Sequence, residues 1–83
     1  MKYIKVTYAV PRCKNLNKVE YYVFNDRVTE EKIEKFLRDK QNEFECEIAD
    51  FLIKVFDYTA VAATFAASVN VDWDFIDVKN VQL

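Results

Sequence analysis

The sequence contains no histidine and no glycine, and it has one proline and two cysteines among its 83 residues. Without histidine, the imidazole base of Ser-His and Cys-His catalytic pairs is missing, and so is the imidazole ligand of many metal sites. Without glycine, the phosphate-binding loops of P-loop and dinucleotide-binding proteins cannot be built. We therefore expect a protein that is not an enzyme and that holds no cofactor and no metal.

The cysteines and the clustered aspartates also lead us to expect no metal site. Cys13 and Cys46 lie far apart in the sequence without metal-ligand spacing, so we expect two free thiols. Clustered carboxylates such as those of Asp72, Asp74 and Asp77 can bind hard cations. Asp72 and Asp74, however, alternate with apolar residues along a predicted strand. We interpret them as a solvated strand face, with an acidic surface for a basic partner as the alternative.

The composition predicts one small domain that spans residues 1–83. Hydrophobic residues make up 52% of the chain and aromatic residues 16%, which is enough to build a core. Residues 1–11 lack the uninterrupted apolar run of a signal peptide. The longest charge-free stretch, residues 58–71, is shorter than the roughly 20 residues that cross a bilayer. We expect a cytoplasmic protein that makes no membrane contact.

The N-terminal third predicts a β-hairpin. In residues 2–10 apolar side chains alternate with others, which is typical of a strand with one apolar face, and Pro11 ends the pattern. Residues 18–25 are rich in β-branched and aromatic residues and predict a second strand. The connection between them contains Asn15 and Asn17, which tolerate turn conformations.

The middle of the chain predicts one long helix. Thr29 is a suitable N-cap, and two glutamates follow in the first turn. Apolar residues then recur with helical spacing from Ile33 to Val55. A straight helix over residues 30–58 would be about 43 Å long, whereas a domain of this size is roughly 30 Å across. The helix is therefore expected either to break within residues 39–42 or to overhang and be covered by a partner. We favour one long or mildly kinked helix, because the apolar stripe stays in phase.

The C-terminal third is ambiguous. Every odd position from Val61 to Phe75 is apolar, which predicts a strand over residues 69–78 with Trp73 in the core. Residues 60–67 fit either a strand or an alanine-rich helix, and the alternation favours a strand. The fold class that follows is α+β. An antiparallel sheet, made of an N-terminal hairpin and a C-terminal strand pair, packs on one long helix in the order ββαββ.

The second predicted strand is apolar on both faces, whereas a single helix covers only one face of a sheet. The uncovered face would expose aromatic side chains, which is typical of protein–protein contact. In the alternative arrangement, Tyr22 and Phe24 belong to the core, and Tyr21 and Val23 face outwards. The predicted partner-binding residues are three aromatic anchors and three basic residues at the rim: Tyr3, Tyr22, Phe24, Arg12, Lys14 and Lys18.

The chain is small, acidic, free of glycine and rich in lysine, asparagine and phenylalanine. In this composition it resembles the small inhibitors that phages encode against host enzymes or defence systems. The resemblance implies a protein-binding module that acts as a stoichiometric inhibitor or modulator of a larger protein, with a homodimer as an open alternative. A second hypothesis is a nucleic-acid-binding accessory protein, because residues 1–27 carry six basic and two acidic side chains.

Overall fold

The computed structural model describes residues 1–11 and 13–77. Its elements form a three-stranded antiparallel sheet and two helices, so the α+β class is confirmed, with the order ββααβ in place of ββαββ. The elements are β1 (Lys2–Ala9), a single 3₁₀ turn (Lys14–Leu16), β2 (Lys18–Phe24), α1 (Glu30–Phe56), α2 (Ala60–Ala66) and β3 (Asn70–Phe75).

β1 is the central strand of the sheet, and the strand order is β2-β1-β3. Its even-numbered residues Ile4, Val6 and Tyr8 are fully buried, as the alternation predicts for a strand with one core-facing side. The predicted hairpin is confirmed, with Ile4 opposite Tyr22 in the register. Its connection is held by Asn17, whose Oδ1 accepts a hydrogen bond of 2.6 Å from the backbone N–H of Val10.

α1 runs without a break from Glu30 to Phe56, so the polar residues 39–42 do not interrupt it. Thr29 caps the helix, and its Oγ1 accepts a hydrogen bond from the Lys32 N–H at 3.4 Å. The helix ends at Asp57, which has the left-handed conformation with φ 55° and ψ 35°. A glycine normally takes this position, and this chain has none. Aspartate is among the few other residues that tolerate it.

Residues 60–66 form α2, so the predicted strand at 60–67 is wrong. Thr59 caps this helix by accepting a hydrogen bond from the Ala62 N–H at 3.2 Å. Alanine is the strongest helix former, and its small side chain lets α2 approach α1 closely. Ala63 and Ala67 are accordingly buried. The apolar residues at the odd positions of 60–67, which favoured a strand, therefore do not correspond to a strand.

Within residues 1–11 and 13–77, β3 therefore pairs with β1 alone. It covers Asn70–Phe75, shorter than the predicted 69–78, and residue 78 lies outside the described residues. Trp73 is half-buried, with its ring edge-to-face on Phe75 at a centroid distance of 5.3 Å. It packs against the core as predicted, but from the edge of the sheet rather than its centre.

The start of β3 is tied to the middle of α1 through Val69. The side-chain amide of Gln41 donates a hydrogen bond to the Val69 carbonyl at 2.7 Å. The Val69 N–H donates to the Glu45 carboxylate at 3.1 Å. These bonds satisfy both backbone groups of a buried residue at the end of α2, where no strand or helix partner is present.

α1 extends well beyond the sheet. Phe36 contacts rings at one end of the hairpin and Phe44 contacts Tyr8 near the other end, so twelve residues of α1 follow the last ring contact with β1, about 18 Å of helix. Beyond Leu52 every residue of α1 is exposed. The predicted overhang is therefore confirmed, and α2 folds back along it to cover one side. None of the helices in the described ranges is long and apolar enough to cross a membrane.

Candidate protein-binding surface

The two faces of the sheet have different environments. Tyr8, Tyr22 and Phe24 point to the side on which α1 packs. The opposite side, here called the open face, has no helix of the described chain packed on it. The strand registers bring eight residues together on the open face: Tyr3, Lys5, Thr7, Val19, Tyr21, Val23, Asp72 and Asp74.

An apolar stripe of three β2 residues lies at one margin of the open face. Val19, Tyr21 and Val23 are 48%, 43% and 50% exposed. β2 is also an edge strand, and within the described residues only β1 pairs with it. Natural edge strands are commonly protected by charged side chains, prolines or bulges. On the open face β2 carries no charge and no proline, and its two charged residues, Lys18 and Glu20, lie on the helix side near its start. The outer backbone groups around Tyr21 and Val23 therefore lie beside exposed apolar side chains.

The other margin of the open face is acidic. Asp72 and Asp74 lie on β3, directly opposite Thr7 and Lys5 of the central strand. Lys5 also faces Tyr21 across the β1–β2 pair. From edge to edge, the face is therefore apolar, then basic at Lys5, then acidic. This gradient gives a partner one defined orientation on the sheet.

The expectation that Tyr22 and Phe24 form an exposed pair is corrected. Both rings are half-buried and pack edge-to-face on Phe36 of α1, at centroid distances of 5.2 and 5.5 Å. The alternative arrangement, in which Tyr21 and Val23 face outwards, is the one observed. The hairpin register decides this, because the partner of Tyr22 is the buried Ile4.

The remaining predicted anchor and rim residues do not form one surface. Tyr3 lies on the open face, whereas Lys18 lies on the helix side, with its Nζ 4.0 Å from the ring centroid of Phe44. The same ammonium is 3.2 Å from the Glu20 carboxylate. Lys14 is exposed on the 3₁₀ turn, and Arg12 lies outside the described residues. Tyr3 is thus the only described member of the predicted set that belongs to the open face.

A polar cluster lies on the helix side, where β1 ends and β2 begins. Burial raises the pKa of Tyr8 far above its ordinary value and also raises the pKa of Tyr22. The Tyr8 hydroxyl is buried and makes no hydrogen bond of ordinary geometry within the described residues, but the Tyr22 hydroxyl and the Glu20 carboxylate lie near enough to act on its pKa. Burial alone would raise the pKa of Glu20, but the hydrogen bond and charge of Lys18 together with the Tyr22 hydroxyl lower it. The cluster therefore holds two neutral phenols beside one ion pair.

The concave sites of the described chain differ in size and lining. A groove of about 190 Å³ between α1 and β3 is lined by Glu34, Arg38 and Trp73 among others, below the roughly 300–1,000 Å³ of most small-molecule sites. A shallow surface of about 450 Å³ on α2 is lined by Ala60, Val61, Thr64 and Phe65, and it lacks the charged groups that fix a polar ligand. No group of three His, Cys, Asp or Glu residues within the described ranges could hold a metal ion. Cys13 is half-buried and Cys46 is exposed, and both are free thiols.

Comparison of the chain with protein-family models, with curated proteins and with solved structures found no match.

Proposed function

We propose that the protein is a non-enzymatic protein-binding module that acts as a stoichiometric inhibitor or modulator of a larger protein. The observation that carries this proposal is the apolar stripe of Val19, Tyr21 and Val23, which is about half exposed on an edge strand. The charged residues of β2, Lys18 and Glu20, lie on the helix side, so the open face of this edge has no charge that would discourage pairing with another chain. A partner that pairs with β2 would cover this edge, and burial of the apolar stripe would then contribute to the binding free energy.

The partner supplies an extended segment that adds to the sheet beside β2. Main-chain hydrogen bonds to the outer edge of β2 provide affinity, and alternate side chains of the segment pack beside the apolar stripe. Lys5, Asp72 and Asp74 orient the partner, because charged groups beside an apolar contact mainly steer encounter and suppress wrong partners. We expect a partner surface that is basic opposite β3.

The compositional resemblance to phage-encoded inhibitors supports an inhibitory or modulating role, in a host cytoplasm. The two free cysteines suit a reducing compartment. The alternative, a nucleic-acid-binding accessory protein, is less well supported because the open face presents two aspartates and one lysine, and Lys18 is engaged with Glu20 on the other side.

The test is a matched pair of tyrosine variants in a pull-down from the native host, with bound proteins identified by mass spectrometry. Tyr21 on the open face and Tyr58 at the end of α1 are 43% and 41% exposed, so each substitution by serine removes a similar exposed ring. Tyr21→Ser is expected to lose a partner that the wild type and Tyr58→Ser retain. Equal recovery by both variants, at equal melting temperature, would contradict the proposal.

A further inference from the structure

β2 is itself an extended segment of the kind that its own outer edge can bind. It covers Lys18–Phe24 and is centred on Tyr21. We propose that β2 pairs antiparallel with β2 of a second copy of this chain, with Tyr21 opposite its own copy, so that the two sheets join into one. The proposal rests on the function proposed above, since both use the same edge, and it makes partner binding compete with self-association.

The direction of the backbone groups of β1 follows from one hydrogen bond at its start. The Ile76 N–H donates to the Tyr3 carbonyl at 3.0 Å, so Tyr3 turns its backbone groups towards β3. Along a strand of an antiparallel sheet this direction alternates from one residue to the next. Ile4 therefore turns its N–H and carbonyl towards β2. The Val10 N–H, also at an even position, bonds to Asn17 just before β2, as this alternation requires.

In β2 the same alternation leaves the odd-numbered residues with outward backbone groups. Ile4 lies opposite Tyr22 in the register, so Tyr22 exchanges its hydrogen bonds with β1. Val19, Tyr21 and Val23 consequently direct an N–H and a carbonyl each away from β1, where no other described element pairs with them. Their side chains form the apolar stripe of the open face. Backbone donors, backbone acceptors and exposed apolar groups thus occur on the same three residues.

One register of a two-fold pair uses all of these backbone groups. With Tyr21 opposite its own copy, Val19 lies opposite Val23 of the second copy, and each outward N–H meets an outward carbonyl. A shift by two residues in either direction pairs Val19 or Val23 with a residue outside β2. Residues opposite each other in an antiparallel pair share a face of the sheet. The apolar stripes of the two copies therefore become neighbours.

The charges of β2 are compatible with this register and with a second copy as the occupant. Lys18 and Glu20 lie on the helix side, where they form an ion pair of 3.2 Å. In the proposed register they lie opposite Phe24 and Tyr22 of the second copy, so no like charges are directly opposed. A shift by two residues towards the start of β2 would instead place Glu20 opposite Glu20 of the second copy. On the open face, an uncharged stripe meets an uncharged stripe.

Sedimentation velocity of two matched double variants tests the register. Val19→Lys, Val23→Glu places each lysine opposite a glutamate of the second copy, whereas Val19→Lys, Val23→Lys places lysine opposite lysine. Opposite charges across a strand pair stabilise it, and like charges destabilise it. Between about 1 µM and about 500 µM, a range that brackets micromolar affinity, the wild type and the lysine–glutamate variant are expected to dimerise. The double-lysine variant is expected to have a dissociation constant at least about tenfold higher than the lysine–glutamate variant.

The double-lysine variant also removes the net charge of -2. General repulsion between chains would therefore favour its association rather than oppose it, so a weaker dimer reports the opposed lysines. Equal association of the two variants, or its absence in both, would overturn the proposed register.

Amide hydrogen exchange of the wild type, followed by NMR, tests the pairing without a substitution. As protein concentration rises, exchange of the Val19, Tyr21 and Val23 amides is expected to slow by a larger factor than exchange of the Glu20 and Tyr22 amides, which are bonded to β1. A wild type that stays monomeric throughout would overturn the proposal. A dimer that forms without this selective protection would overturn it as well.

Failure of the dimer and failure of the proposed function give different results. The pull-down detects a partner in a host extract whether or not the chain dimerises. A monomeric wild type that captures a partner through Tyr21 overturns the dimer and supports the proposed function. A wild type with the expected dimer, but with no partner that depends on Tyr21, supports the dimer and contradicts the proposed function.

Discussion

The polar atom with the most unusual environment in the described chain is the hydroxyl of Tyr8. The side chain is fully buried beneath α1, its ring packs on Phe44, and its hydroxyl makes no hydrogen bond of ordinary geometry within the described residues. The Tyr22 hydroxyl and the Glu20 carboxylate lie near it. A buried polar group without a good hydrogen bond costs about 1–3 kcal/mol, so we expect the ring of Tyr8 to stabilise the core and the hydroxyl to contribute little.

Tyr8→Phe is accordingly expected to leave the free energy of unfolding unchanged or to raise it by about 1 kcal/mol. The same substitution is also expected to change how the free energy of unfolding depends on pH in the alkaline range. Burial raises the pKa of folded Tyr8 above the ordinary 10.0, so the folded state keeps its proton while the unfolded state loses it. Stability is therefore full below about pH 10 and falls as the pH rises further.

Urea unfolding of the wild type and Tyr8→Phe between pH 8 and pH 11 checks both expectations, since these values bracket the ordinary phenol pKa of about 10. The loss of stability above pH 10 should be smaller in Tyr8→Phe. Tyr22, the second phenol with a raised pKa, remains in both proteins and interacts with Tyr8, so the difference between the two profiles reports the Tyr8 phenol together with its effect on Tyr22. Parallel pH profiles would show that the Tyr8 phenol is not held neutral by burial.

At the scale of the elements, the end of α1 decides how the C-terminal third folds. Asp57 adopts the left-handed conformation, and its N–H bonds back to the Leu52 carbonyl. This single residue reverses the chain, so that α2 returns along α1 and Val69 reaches Gln41 and Glu45. A chain without glycine must place a residue with a Cβ at this position, at some cost in backbone strain.

Asp57→Gly is expected to raise the free energy of unfolding by about 0.5–1 kcal/mol, because glycine takes the left-handed conformation without strain. Removal of a carboxylate from the negative end of the helix dipole acts in the same direction. Thermal unfolding provides the measurement. The control is Asp50→Gly within α1, which should instead lose roughly 0.3–0.5 kcal/mol, because aspartate is itself a weak helix former. A lower melting temperature for Asp57→Gly would mean that the carboxylate itself supports the turn.

At the scale of the whole molecule, the charge is small and its distribution matters more than its sum. The net charge is -2, and the aspartates of β3 lie on the same face as the apolar stripe of β2. The described residues measure 44 × 24 × 16 Å.

Affinity for the captured partner should depend only weakly on salt. A protein partner held by the apolar stripe is expected to lose less than about tenfold in affinity between 50 and 200 mM salt, because few counterions are released. A protein that contacts 6–10 phosphates loses about 10³–10⁵ over the same range. Isothermal titration or surface plasmon resonance at several salt concentrations distinguishes the two, and a steep slope would favour the nucleic-acid alternative.

The sequence alone predicted the elements that depend on local patterning. The β1–β2 hairpin followed from residue alternation and the asparagine turn, and α1 followed from its Thr29 cap and its in-phase apolar stripe. The extension of α1 beyond the sheet followed from comparing the length of the helix with the diameter of a domain of this size. These features depend on a few neighbouring residues, and neighbouring residues are what a sequence pattern records.

Tertiary contacts decided the rest. The alternation at residues 60–67 was compatible with a strand, but small alanines can pack closely against α1 and their helix propensity is high, so α2 formed. Both faces of β2 carry apolar side chains in the sequence, and the register with buried Ile4 put Tyr22 inside and Tyr21 outside. A shift of one residue would have reversed both. Local sequence therefore determined the two hairpin strands and α1, while helix packing decided that residues 60–66 form α2. Strand register, which joins residues distant in the chain, determined which apolar side chains of β2 are left for a partner.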